Sequence, residues 1–174
     1  MTIFTVGHAN RTIEEFLAML RGHEVEQLVD VRTAAGSRRN PQFGKDALAR
    51  ALQDHGIHYL HLPELGGFRT PRPDSPNGAW RNESFRGYAD YMGTDAFHVA
   101  LDRLIALAGE APSAVMCAEA VPWRCHRSLI ADALTVRGID VSHIMSPTSS
   151  RPHALTPFAH VEGERITYPP GAGS

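Results

Sequence analysis

Short apolar runs of strand length alternate with stretches of helical periodicity about five times along this 174-residue chain, and no other feature narrows its fold as far. Ile3 to Val6 reads as a strand stopped by Gly7. Thr12, Ile13, Glu14 and Glu15 read as a capping box, followed by Ile13, Phe16, Leu17 and Leu20 at helical spacing up to Gly22. Gln27 to Val31 is a second strand, and Ala47, Leu48, Ala51 and Leu52 mark a helix closed by Gly56. Ile57 to Leu62 is a third strand, and Tyr88 to Met92 a short helix before Gly93. Phe97, Leu101, Leu104, Ile105 and Ala108 make a longer one. Ala114 to Cys117, a helix from Pro122 to Arg137 and Val141 to Ile144 complete the pattern. Such alternation predicts an α/β fold: a single three-layer domain with a mainly parallel sheet of about five strands and helices on both faces. The domain is expected over residues 1–145, with a loop insertion at 65–84. A tail at 146–174 follows, in which HVEGERITY could turn back as a hairpin about Glu162-Gly163.

Composition removes several classes of function. Hydrophobic residues at 43% and charged residues at 21% belong to a folded globular chain. A net charge of -2 excludes a bulk basic nucleic-acid binder, though not a local basic patch. Two cysteines, Cys117 and Cys125, are too few for a disulfide scaffold. The opening MTIFTVGHANRT lacks the basic start and apolar run of a secretory signal, and no apolar stretch is long enough to span a membrane. A cytoplasmic protein without a membrane partner is therefore the expectation. All but one of the seventeen basic side chains are arginine, a bias that genome composition alone can produce, so only arginine position carries an argument.

Ligands of parallel sheets bind beyond the carboxyl ends of the strands, and there this sequence concentrates its chemistry. The first strand is followed by Gly7, His8, Ala9, Asn10 and Arg11. The second runs into Asp30, Val31 and Arg32, with Ser37, Arg38 and Arg39 shortly after. The third reaches His61, Pro63, Glu64, Gly66 and Gly67. The fourth ends in Cys117-Ala118-Glu119, followed by Pro122-Trp123-Arg124-Cys125-His126-Arg127 at the expected start of a helix. There, free N–H groups and the helix dipole would favour a thiolate or a bound anion, and Arg124 and Arg127 would add forked donors. Each residue also has a structural reading. Cys117 could simply end a buried strand, His126 shares a face with Ile130 and Ala133, and Asp30 could only brace a strand end.

The ordered blocks GHANRT, VDVRTAAGSRRNPQF, YLHLPELGG, MCAEAVPWRCHR and VSHI resemble the bacterial and archaeal domain-of-unknown-function family numbered 488. The resemblance covers about Phe4 to Ile144. It implies a small cytosolic α/β domain whose motif residues line one pocket: Gly7, His8, Asp30, Arg32, Ser37, Arg38, Pro63, Gly66, Gly67, Cys117, Glu119, Cys125, His126 and Arg127. The family's usual serine after Gly-His is Ala9 here. A second resemblance is to rhodanese domains and related phosphatase loops, which use a loop cysteine for sulfur or phosphate chemistry. In this chain Glu119 and Pro122 stand where those loops have small residues, and Arg124 falls one position late.

The resulting expectation is a cysteine-dependent enzyme acting on a phosphate-bearing substrate, a nucleotide or nucleic acid. Cys117, Glu119, Asp30 and His8 would carry the chemistry. Arg11, Arg32, Ser37, Arg38, Arg39, Arg124, Arg127, Gly66 and Gly67 would hold the anion, and Cys125 and His126 would have a resolving or structural role. Two alternatives stand beside it. One is a non-catalytic binding module that uses Arg69, Arg72, Arg81 and Arg86 as well, with Phe68, Trp80 and Phe85 for stacking. The other is a Cys/His metal-binding protein, although no familiar ligand spacing is present. The sequence names no cofactor.

Overall fold

Thr12 opens the first helix by reciprocal capping. Its hydroxyl accepts from the Glu15 N–H at 3.1 Å, and the Glu15 carboxylate accepts from the Thr12 N–H at 3.4 Å. The computed structural model describes residues 1–171, so the end of the 146–174 tail lies outside the described residues. Strands β1 (Thr2–Gly7), β2 (Gln27–Asp30), β3 (His58–His61), β4 (Ser113–Cys117), β5 (Asp140–Ser146) and β6 (Ser149–Pro152) form one sheet in the order β3-β2-β4-β1-β5-β6. The first five are parallel, while β6 returns antiparallel along β5. A separate hairpin, β7 (His160–Glu162) and β8 (Arg165–Thr167), turns at Gly163.

Alternation along the strands divides the core between two faces. Val6, Leu28, Ala114, Met116 and Ile144 pack with Phe16 and Leu20 of α1 (Ile13–Gly22) and Leu48 and Leu52 of α2 (Lys45–Gln53). Ile3, Val29, Val115 and Cys117 share the other cluster with residues of α3 (Glu83–Tyr91), α4 (Asp95–Glu110) and α5 (Arg127–Val136). The three-layer α/β arrangement expected from the sequence is the one observed.

Three details differ from expectation. Helix α3 starts at Glu83 rather than Tyr88, because Asn82 caps it by accepting from the Ser84 and Phe85 N–H groups. The sheet has six strands where about five were expected, because β6 (SSRP) is exposed throughout, carries a proline and shows no apolar alternation. The helix expected from Pro122 begins instead at Arg127. Pro122–Arg124 forms only a 3-10 turn, and Cys125 then takes an extended conformation (φ -131°, ψ 148°) that interrupts the winding. Among the described residues no helix is long and apolar enough to cross a membrane.

The strand order creates a switch point. From β1 the chain passes through α1 to β2, whereas from the adjacent β4 it passes through α5 to β5 on the opposite side of β1. The two outgoing connections diverge above β1 and β4 and leave a crevice at their carboxyl ends.

A thiol pair beneath an arginine-rimmed cavity

Hydrogen bonding continues past the strand ends and holds the crevice walls in register. His8 N–H donates to Cys117 O at 3.0 Å, Ala9 N–H to Ala118 O at 2.8 Å, and Val31 N–H to Met116 O at 3.0 Å. The β4 loop folds tightly over the end of β1. A Cβ at Gly7 would lie 1.9 Å from Glu119 O, so only glycine fits there.

The crevice opens into a cavity of about 610 Å³. His8, Arg32, Ser37, Arg38, Arg39, Gly67, Cys117, Glu119, Arg124, Cys125 and His126 all line it. Six expected residues do not: Gly7, Arg11, Asp30, Pro63, Gly66 and Arg127. Arg11 Nε donates to Gly7 O at 3.4 Å, and Gly66 is pressed against Thr33, whose Oγ1 would lie 2.4 Å from an added Cβ.

Cys117 and Cys125 are free, buried and in contact, the Cys125 thiol donating to Cys117 Sγ at 2.7 Å. Burial pushes the Cys117 thiol up, but the Cys125 hydrogen bond, the Arg127 charge and the Glu119 backbone outweigh it, and the net shift is downward. Cys125 moves the opposite way, well above the ordinary thiol value, because it donates to Cys117 and is itself buried. The later start of α5 changes one expectation. The backbone at Arg127, in the helix's first turn, acts on Cys125, so the helix terminus favours the second thiol.

Arg127 is 0% exposed. One terminal nitrogen donates to Ala120 O at 2.8 Å, while its Nε and other terminal nitrogen have no hydrogen-bond partner among the described residues. It lies behind the cavity wall, where its charge also bears on His126 and His143. Burial lowers the His126 pKa to about 4, so this ring is neutral near pH 7, with Nδ1 3.5 Å from Cys125 Sγ.

On the opposite wall, Arg32 is held from every side. Its Nε and one terminal nitrogen grip Asp30 at 3.0 and 2.7 Å, and the other terminal nitrogen donates to Phe43 O at 2.8 Å. Asp30 also accepts from the Arg32 backbone N–H at 3.0 Å and the Tyr59 hydroxyl at 2.5 Å. Both of its oxygens are thus occupied, by Arg32 and by Tyr59. His8 stacks on Phe43 at 4.5 Å between centroids, and its Nδ1 donates to Ala9 O at 2.8 Å, turning the Nε2 lone pair toward Arg32. Burial lowers the His8 pKa, which suits a neutral acceptor.

The rim is different. Arg38, Arg39 and Arg124 line the cavity with no side-chain hydrogen bond or carboxylate partner among the described residues. Glu119 is the carboxylate facing the cavity, and its Oε1 accepts from Val121 N–H at 3.1 Å. Phe68, 89% exposed and at φ +59°, sits at the mouth with Phe85.

Several residues considered for stacking or anion binding lie elsewhere. Trp80 packs among Phe85, Phe158 and Tyr168, outside the cavity lining. Arg69 stacks on Tyr91, and Arg72 pairs with Asp74 at 2.9 Å. Much of the 65–84 insertion is latched by Asp90, which accepts from Arg72 N–H, the Ser75 hydroxyl and Asn77 Nδ2 at 2.6–2.8 Å. Thr33, Asn40, Phe43 and Tyr59 contribute to the site but were not singled out from the sequence. For Thr33, Asn40 and Phe43 the sequence signal is the VDVR-to-NPQF block, and for Tyr59 the start of the YLHLPELGG block on the third strand. Among the described residues no three His, Cys, Asp or Glu side chains are grouped to hold a metal ion, leaving the Cys/His metal alternative without a ligand set.

No curated protein and no solved structure matches this chain. A family match begins at Thr12, so the Gly7-His8 turn lies outside it, whereas the thiol pair and the Asp30-Arg32 brace lie within. The family model described as "Domain of unknown function DUF488" matches residues 12–134, and the chain belongs to that family.

Proposed function

We propose that the protein is a cysteine-dependent enzyme acting on a small phosphate-bearing substrate, with Cys117 as the nucleophile. The observation that carries this reading is the thiol pair itself: Cys125 donates to Cys117 Sγ inside a cavity whose rim holds three arginines without carboxylate partners among the described residues. Arg38, Arg39 and Arg124 supply forked donors for the anion. Arg32, fixed by Asp30 and Tyr59, presents a further cationic edge to the same space. Glu119 is the lining carboxylate placed to carry a proton, whereas Asp30 and His8 act by positioning Arg32.

The test is the pH dependence of Cys117 alkylation, followed by peptide mass mapping with and without pyrophosphate. The expected result is an apparent pKa below the ordinary free-thiol value of about 8.5 and slower labelling when pyrophosphate is present. An ordinary pKa together with no protection would overturn the proposal.

Phe68 favours a second reading, binding without catalysis. A strongly exposed ring held at positive φ offers a face on which a nucleobase can stack. Cys117→Ser separates the two: nucleotide binding that persists with no turnover detectable in either protein supports the binding module.

A further inference from the structure

Closing a bond between the two thiols would change more than their own chemistry, because Arg127 depends on them. Its guanidinium is completely buried, has one backbone acceptor and leaves its remaining nitrogens without partners among the described residues. A buried cation in that condition calls for a nearby anion. The sulfur of Cys117, receiving a hydrogen bond from Cys125 and interacting with the Arg127 charge, can supply one. The thiol 2.7 Å from Cys117 Sγ is also correctly placed to attack any sulfur adduct formed there.

We propose that Cys117 and Cys125 form a reversible dithiol–disulfide couple that exchanges with a disulfide bearing oxyanion groups and bound at the arginine rim. This rests on the proposed function above, in that Cys117 is the nucleophile and the rim holds the anion. The Cys117 thiolate attacks one sulfur of the bound disulfide, forming a mixed disulfide as the substrate S–S bond breaks and one thiolate leaves. That leaving thiolate takes the Cys125 proton. Cys125 then attacks Cys117 Sγ, forming the internal disulfide and expelling the second thiolate. Two electrons pass from the protein dithiol to the substrate, which leaves as one thiol and one thiolate, the latter taking its proton from water.

The closed form removes the negative sulfur beside Arg127 and leaves its charge without a counter-ion. The dithiol state is thereby favoured, which makes the closed disulfide reactive and reducible rather than a structural staple.

Intact-mass spectrometry of the reduced full-length protein tests this with three probes: oxidised glutathione bearing carboxylates, coenzyme A disulfide bearing phosphates, and neutral 2-hydroxyethyl disulfide. The wild type should close its internal disulfide without accumulating an adduct. Cys125→Ser should stop at a mixed disulfide on Cys117, and Cys117→Ser should form no adduct at this site. Charged probes should outpace the neutral one by on the order of tenfold at low salt, with the difference shrinking as salt rises. The faster charged probe identifies phosphate or carboxylate as the preferred oxyanion. Arg127→Gln should raise the disulfide fraction at a fixed glutathione ratio. If that variant does not fold, the Cys125→Ser comparison still decides the matter.

An adduct that persists on wild-type Cys117 refutes the couple, and equal rates for charged and neutral probes refute the oxyanion assignment. Rapid alkylation of Cys117 with no internal disulfide defeats this inference alone. Slow alkylation without anion protection defeats the proposed function as well.

Discussion

Replacing Asp30 by Asn tests whether the carboxylate at the end of β2 is a structural brace. Asp30 is 0% exposed, and the Arg32 side chain is 6% exposed. The amide could retain the Oδ1 contacts to the Arg32 backbone N–H and Nε, both at 3.0 Å. At Oδ2 it would set an NH₂ group against the Arg32 nitrogen at 2.7 Å and compete with the Tyr59 hydroxyl at 2.5 Å. Removing one member of a buried pair costs about 3–5 kcal/mol, since the other charge is left uncompensated. Arg32 lines the cavity, where water can solvate part of it, so about 3 kcal/mol is the appropriate figure. For a chain of this size that corresponds to a fall in Tm of roughly 6–12 °C. Urea unfolding and calorimetry provide the assay, with Tyr59→Phe as a milder control at about 1 kcal/mol. A loss below about 1 kcal/mol for Asp30→Asn, with native circular dichroism, would refute the brace.

Gly7→Ala should force the Glu119 carbonyl away from β1, since the new methyl would stand 1.9 Å from it. The expected loss is about 1–3 kcal/mol, with slower Cys117 alkylation as the loop shifts, and an unchanged Tm would contradict the close approach. Acid should destabilise the fold through its buried histidines. Burial lowers His143 to about 3 and His126 to about 4, against 6.5 when unfolded. The unfolded chain therefore binds more protons between those values, so stability present above about pH 6.5 declines as pH falls through this window. Ring carbon chemical shifts should show both rings still neutral at about pH 5, and protonation of either at that pH would refute its burial.

Local chemistry was legible wherever a few neighbouring residues decide the outcome. The Thr12 cap, the apolar alternation of the strands and the stripe of α4 depend on short-range spacing and the need to bury one face. The sequence also marked the place of the cavity, because Gly7-His8, Asp30-Arg32 and Cys117 each lie at the end of a strand and parallel strands end on the same side. β6 was not legible: a polar, proline-bearing edge strand is defined by its partner β5 rather than its own pattern. Nor was the break before α5, which comes from the extended backbone at Cys125 despite the helix-starting proline at 122.

By itself, then, the sequence determined most of the elements, that they build a mainly parallel α/β sheet, and that cysteine, arginine and histidine gather at the ends of its strands. Tertiary structure decided which of those groups meet. Placing β4 between β2 and β1 brought Cys117 beside the turns that carry His8 and Arg32. It turned Asp30 into a brace and moved Arg127 from the expected rim to a buried place behind the thiols. The physical reason is that strand order and burial arise from pairings across distant parts of the chain, whereas helix caps and apolar periodicity act within a few residues.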